Sequence, residues 1–167
     1  MPNSKRPSAG DGAAQVYRGV DAGRPQPASL GPLPGYLGYR LRLAAVTVVT
    51  QLNERLADLD LRTLHFGTLL VIQANPGLSQ SDVCAALEIH PANFAPLIAG
   101  LEKRGLVARE QRSSDRRTYS LRLTPDGEAL LRRAIALQEQ HEAELAAQLG
   151  STDHQQLLSL LAQLTGR

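Results

Sequence analysis

The sequence predicts a mainly α-helical fold carrying one small β-hairpin, and three observations carry that expectation. Two short helical segments lie close together between residues 79 and 105. Directly after them come two short alternating runs divided by a polar, arginine-rich stretch. Longer amphipathic segments flank this group on both sides. Two short helices joined by a few residues make a helix-turn-helix. With a hairpin behind it, the expected architecture is a winged helix-turn-helix between long terminal helices.

Each element has its own local signal. "YLGYRLRLAAVTVVTQLNERLADL" carries Leu41, Ala45, Val48, Leu52 and Leu56 at steps of three and four, the spacing of an amphipathic helix. A second helix, expected over Thr63 to Gln73, is stopped by Asn75-Pro76-Gly77, because proline cannot continue a helix and glycine suits the turn. In "LSQSDVCAALEI", Ser79 and Asp82 have capping-box spacing and open a short third helix reaching about Leu87. In "HPANFAPLIAGLEKRGLV", Pro91 stands at a helix start, where its missing N–H costs nothing, and Gly105 at the C-terminal cap. Pro96, inside the same helix, removes one backbone bond and is expected to bend its first turns.

Beyond Gly105 the period changes to two. "LVARE" and "TYSLRL" read as strands, with Tyr119, Leu121 and Leu123 on one face and Thr118, Ser120 and Arg122 on the other, joined by "QRSSDRR". Thr124 then caps a long helix that has Pro125 in its first turn and ends at Gly150, and Ser151 is expected to cap a last helix bearing Leu157, Leu161 and Leu164. At the other end, residues 1–34 hold six of the ten prolines and five of the fourteen glycines without apolar periodicity, which reads as a flexible arm.

Composition bounds the chemistry. The 167 residues are enough to bury a core without staples. A single cysteine, Cys84, cannot form an internal disulfide, and four scattered histidines offer no pair at metal-ligand spacing, so no metal is expected and a reducing, cytoplasmic setting is the default. No apolar run approaches the roughly 18 residues of a membrane span, nor does the N-terminus have the apolar core of a signal peptide. No paired carboxylates, nucleophile with a histidine partner, P-loop or dinucleotide fingerprint appears, so neither an enzyme nor a cofactor is expected.

Charge points elsewhere. The net charge is only +2, yet Glu102 to Arg122 contains seven cations against three anions. A solvated face is one reading of such a run, and a phosphate-binding surface is the other. On a winged helix the arginines fall at the wing tip, where they reach a nucleic-acid backbone or minor groove while the second helix of the pair enters the major groove.

"SQSDVCAALEIHPANFAPLIAGLEKRGLVARE", "SSDRRTYSLRLT" and "LTPDGEALL" resemble, in order and spacing, the MarR family of bacterial transcription regulators, over residues 35–165. The most specific element is Asp115-Arg116-Arg117 followed by a strand and Leu123-Thr124-Pro125-Asp126-Gly127. The resemblance implies a homodimer whose terminal helices interlock, with two winged helices straddling a pseudo-palindrome in double-stranded DNA. The wide apolar faces of those helices, exposed in a monomer, agree with dimerisation, although folding back on their own subunit is the alternative. The expected divisions are a flexible arm (1–34), a dimerisation helix (35–60), the winged helix-turn-helix (61–124) and C-terminal dimerisation helices (125–167).

The same resemblance implies site residues. Along the recognition helix, His90 and Asn93 take positions that touch DNA, Asn93 by pairing with adenine and His90 by donating to a phosphate or else serving as an N-cap. Lys103 and Arg104 approach phosphates or keep the helix end soluble. On the wing, Arg112, Arg116 and Arg117 face DNA, with Asp115 orienting the arginine that enters the minor groove. Effectors in the family bind a cleft between the dimerisation helices and the winged helix. Tyr36, Tyr39, Arg40, Arg42, His65 and Phe66 offer aromatic faces and cations for an aromatic acid or its CoA thioester; interface packing, a solvated face and a hydrogen-bonded helix residue are their ordinary alternatives. "GYRLRLA", "NPGLSQSDV" and "NFAPLI" look most like the hydroxycinnamate-responsive branch. Cys84, lacking nearby cations, reads as a buried structural thiol rather than an oxidant sensor. The expected function is an effector-released repressor, and the alternative is a winged-helix module for architectural or protein contacts without effector control.

Overall fold

The computed structural model describes residues 28–111 and 119–166. The chain divides into two structural units, residues 1–40 and residues 41–167. In the first, the Gly31 N–H donates to Ser29 Oγ at 3.3 Å, and Leu33–Gly35 form a single 3₁₀ turn. The Arg40 Nε donates to the Pro34 carbonyl at 2.7 Å. These contacts lie before the expected start of folded structure at Gly35, and the rest of the proposed arm, residues 1–27, lies outside the described residues.

Six α-helices and one hairpin follow among the described residues: α1 (Leu37–Leu56), α2 (Thr63–Ala74), α3 (Gln80–Ala86), α4 (Pro91–Lys103), β1 (Val107–Gln111), β2 (Tyr119–Leu123), α5 (Pro125–Leu149) and α6 (Ser151–Thr165). The caps read from sequence form as expected at three of the starts. Ser79 Oγ accepts from the Asp82 N–H at 3.2 Å while an Asp82 carboxylate oxygen accepts from the Ser79 N–H at 2.8 Å. His90 precedes Pro91, and Thr124 Oγ1 accepts from the Gly127 N–H at 3.0 Å. At α6 the expectation fails: Gly150 is the cap residue, and the Ser151 side chain caps nothing because it already lies inside the first turn.

The core is built where the periodic faces meet. Phe66, Leu69 and Ile72 of α2, Phe94, Ile98 and Leu101 of α4, and Leu131 and Ala134 of α5 close on Leu121 and Leu123 of β2, with Leu52 and Leu56 of α1 at its edge. Each fully buried leucine, isoleucine or phenylalanine contributes about 1.5–3 kcal/mol. Pro96 does not interrupt α4, whose buried positions stay in phase across it.

The hairpin is antiparallel, with Val107 opposite Leu123, Arg109 opposite Leu121 and Gln111 opposite Tyr119. Its burial departs from strict alternation. Tyr119 is 47 % exposed and Ser120 is buried, because a bridge between Ser79 and Ser120, and a 2.8 Å bond from the Leu121 N–H to the Leu78 carbonyl, cover that side of β2 with the start of α3.

Cys84 is 4 % exposed in the core, and burial pushes its thiol above the ordinary range, as expected of a structural cysteine.

Candidate functional site

One face of α4 is open. Ala92, Asn93, Ala95, Pro96, Ala99, Gly100 and Lys103 are all exposed, while Phe94, Ile98 and Leu101 anchor the opposite side. Before Lys103 the outward side chains are short, so another surface can approach this helix closely. His90 Nδ1 accepts from the Ala92 N–H at 3.3 Å, which leaves the ring proton on Nε2. Both roles read for His90 are therefore compatible: it caps α4 through one nitrogen and can donate through the other, beside the positive end of a 13-residue helix.

The cation cluster resolves into separate roles. Arg109 of β1 donates from Nε to Glu102 Oε1 at 2.7 Å and from Nη2 to Gln80 Oε1 at 3.1 Å, pinning the base of the hairpin to α4 and α3. Arg122 pairs with Glu110 along the hairpin. Arg104, expected to approach phosphates or keep the helix end soluble, is engaged within the chain. It donates to the carbonyls of Leu59 at 2.9 Å and Asp60 at 2.6 Å, because the C-terminal end of α4 abuts the turn after α1. Lys103 remains exposed beside the open face. Arg112, Asp115, Arg116 and Arg117 lie outside the described residues.

A pocket of about 480 Å³ opens between α1 and the start of α2, lined by Thr50, Asn53, Glu54, Ala57, Asp60, Leu61, Arg62 and His65. Asn53 Oδ1 accepts from both the N–H and the hydroxyl of Thr63, at 2.8 and 3.0 Å, and so caps α2 from another helix. His65 Nδ1 accepts from the Arg62 N–H at 3.1 Å. Burial and the charge of Arg104, then to a smaller extent Arg62, hold the His65 imidazole below its usual range, against an opposing pull from Asp60.

Of the residues expected to hold an effector, His65 alone lines this pocket. Phe66 does not: it is 7 % exposed and packs in the core, because the next position on α2 faces inward. Tyr36, Tyr39 and Arg40 belong to the first unit, and Arg42 is exposed near the start of α1. Sequence reading passed over Thr50, Asn53, Glu54 and Ala57, although their i, i+3, i+4, i+7 spacing marks one face of α1 continued into the turn that follows it.

A second pocket, about 340 Å³, lies between α1 and α5 and includes Gln51, Arg55, His141 and Glu144. Arg55 and Glu144 form a two-bond ion pair at 3.1 and 2.5 Å. Buried His141 shares a 3.2 Å bond with Gln51 and, among the described residues, has no partner for Nδ1. Among the described residues, no group of three or more His, Cys, Asp or Glu is placed to hold a metal, and no helix is long and apolar enough to cross a membrane.

Residues 58–118 match the MarR family. A protein of Thauera aromatica assigned to regulation of the hcr operon is 30 % identical over 135 residues, spanning 80 % of this chain and 81 % of that one. The chain belongs to the MarR family. Among solved structures, this MarR-family regulator resembles the transcriptional repressor CouR bound to a 23-mer DNA duplex, with 36 % identity and a TM-score of 0.79 over 84 % of this chain and 99 % of CouR. It also resembles CouR bound to p-coumaroyl-CoA, at 36 % identity and a TM-score of 0.76 over 82 % and 96 % of the two chains. The winged helix expected from sequence is thereby established, with α4 as the second helix of its helix-turn-helix.

Proposed function

We propose that this chain is a repressor that acts in the cytoplasm as a homodimer on a pseudo-palindromic DNA operator and is released by an aromatic acid or, more specifically, its CoA thioester. The carrying observation is the likeness to CouR along nearly the whole of that protein, in a DNA-bound and a p-coumaroyl-CoA-bound structure. Physical features support it. Val46 and Val49 on α1, and Leu157, Leu158, Leu160 and Leu164 on α6, are large apolar side chains left 42–58 % exposed, apolar faces that a second copy would cover. Dimer symmetry then sets the half-sites about 10 base pairs apart.

In this reading the α4 face presents Asn93 to a base edge and His90 and Lys103 to phosphates, while Arg112, Arg116 and Arg117, oriented by Asp115, reach DNA from the wing. Arg62 and His65 supply the polar contacts of the effector pocket, and Tyr36, Tyr39, Arg40 and Arg42 remain proposed effector contacts. The effector needs only to bind better to the dimer geometry that misplaces the two recognition helices.

The test is fluorescence anisotropy on the DNA upstream of the chain's own gene, at fixed salt, with free aromatic acids and with p-coumaroyl-CoA. Tight binding released by one of these compounds supports the proposal. Binding no tighter than to scrambled DNA, and indifferent to all of them, would leave a winged-helix module without effector control.

A further inference from the structure

The apolar contacts of α4 hold it against the core but are non-directional, so they set its distance better than its orientation. Direction comes from polar bonds at the helix ends. At the C-terminal end, Gly105 adopts φ 69° and the Leu106 N–H reaches back to the Leu101 carbonyl at 3.0 Å, closing the helix locally. Arg104, the cap residue itself, reaches away from the helix. Its two terminal nitrogens donate to two consecutive carbonyls, Leu59 at 2.9 Å and Asp60 at 2.6 Å, and one of them lies 3.6 Å from the Asp60 carboxylate. A planar fork can grip two carbonyls at once, which a lysine ammonium cannot do with the same geometry.

The gripped turn has two sides. It ends the α1 region, with the Asp60 N–H on the Ala57 carbonyl at 2.8 Å and the Leu61 N–H on the Leu56 carbonyl at 3.2 Å. Ala57, Asp60, Leu61, Arg62 and His65 also wall the 480 Å³ pocket. Asp60 sits at φ 49°, in the left-handed region, and the Arg104 bonds help to hold it there. Arg104 is also felt inside the pocket, where its charge contributes to the lowered proton affinity of His65.

We infer that Arg104 is a positioning residue that couples the α1–α2 pocket to the recognition helix: a ligand engaging Arg62 and His65 rearranges the Leu59–Asp60 turn, and Arg104 carries that change to the end of α4. A ligand carboxylate or thioester carbonyl is attracted by Arg62, while Glu54 and Asp60 oppose further negative charge at the same wall, so the pocket suits the single acceptor group at the aromatic-acid end of a ligand. This inference rests on the effector-released repressor proposed above and locates its relay.

The test uses the full chain, operator DNA and p-coumaroyl-CoA, with Arg104→Met and Arg104→Lys. Calorimetry gives ligand affinity without DNA, and anisotropy gives the factor by which saturating ligand weakens DNA binding. Allosteric factors of this kind typically run about 5–150-fold. Arg104→Met is expected to keep ligand affinity within about threefold while its release factor falls to within about threefold of one, with Arg104→Lys between it and the unaltered chain. Release from Arg104→Met equal to that of the unaltered chain overturns the inference and leaves the repressor reading standing. Failure of the ligand to release the unaltered chain removes both. Should Arg104→Met not fold, NMR of the guanidinium groups in the unaltered chain decides. An Arg104 signal, assigned from Arg104→Lys, that moves on ligand addition supports the relay, and one that stays fixed overturns it.

Discussion

The α-carbon of Gly127 faces the backbone carbonyl of Leu106 so closely that a methyl group there would lie 2.0 Å from its oxygen. The approach is held from both sides. Thr124 donates its hydroxyl to the Gly105 carbonyl at 2.6 Å and its N–H to the Leu106 carbonyl at 3.1 Å, so the first turn of α5 is tied to the strand that leaves α4. Gly127→Ala must push backbone against backbone, and a loss above about 2 kcal/mol is expected in urea denaturation. A change below about 0.5 kcal/mol would mean that the two segments separate freely.

Stability should fall in mild acid because of His65. Its imidazole is held below the ordinary 6.5, mainly by burial, and Nδ1 must be unprotonated to accept from the Arg62 N–H at 3.1 Å. The unfolded chain therefore takes up this proton first as pH drops. The contribution is full above pH 6.5 and is lost as pH falls through the lower folded value. His65→Gln is expected to flatten this dependence between about pH 7.5 and pH 5. Equal slopes in the two proteins would assign the acid sensitivity to other groups.

Cys84 should behave as packing. At 4 % exposure, with burial disfavouring the thiolate, it is expected to react with a thiol reagent only on the unfolding timescale. Cys84→Ser, which places a hydroxyl in the core, should cost about 1–3 kcal/mol. Rapid modification of the folded protein accompanied by loss of DNA binding would instead support redox sensing.

The wing arginines should set much of the salt dependence of DNA binding. Replacing Arg116 and Arg117 by alanine should weaken operator binding and reduce the slope of log affinity against log salt by about 0.9 for each phosphate contact removed. An unchanged slope would take these two side chains out of the phosphate interface.

A smaller effect is expected at the base of the wing. Arg109→Ala removes contacts to Glu102 and Gln80, in a pair whose side chains are 37 % and 28 % exposed, so stability should drop by no more than about 1 kcal/mol. Operator affinity should fall further than stability does, since the hairpin loses its tie to α4. Affinity unchanged within about twofold would show that backbone pairing alone orients the wing.

What the sequence determined by itself was local. Ser79 with Asp82, Thr124 with Gly127, and the turn at Gly105 satisfy backbone groups within a few residues of themselves, so their roles can be read from spacing alone. The pairing of the hairpin follows from periodicity for the same reason. Tertiary structure decided how long polar side chains are used. Arg104 finds carbonyls 44 and 45 residues away, Asn53 caps a helix other than its own, and Arg109 reaches two elements at once. A guanidinium or amide can satisfy itself on any acceptor within reach, so its role is fixed only when the fold selects the neighbours. For this reason the cation cluster was visible in the sequence, while its division into internal ties and outward charges was not. The glycine at 127 likewise followed from a close approach that no local pattern encodes.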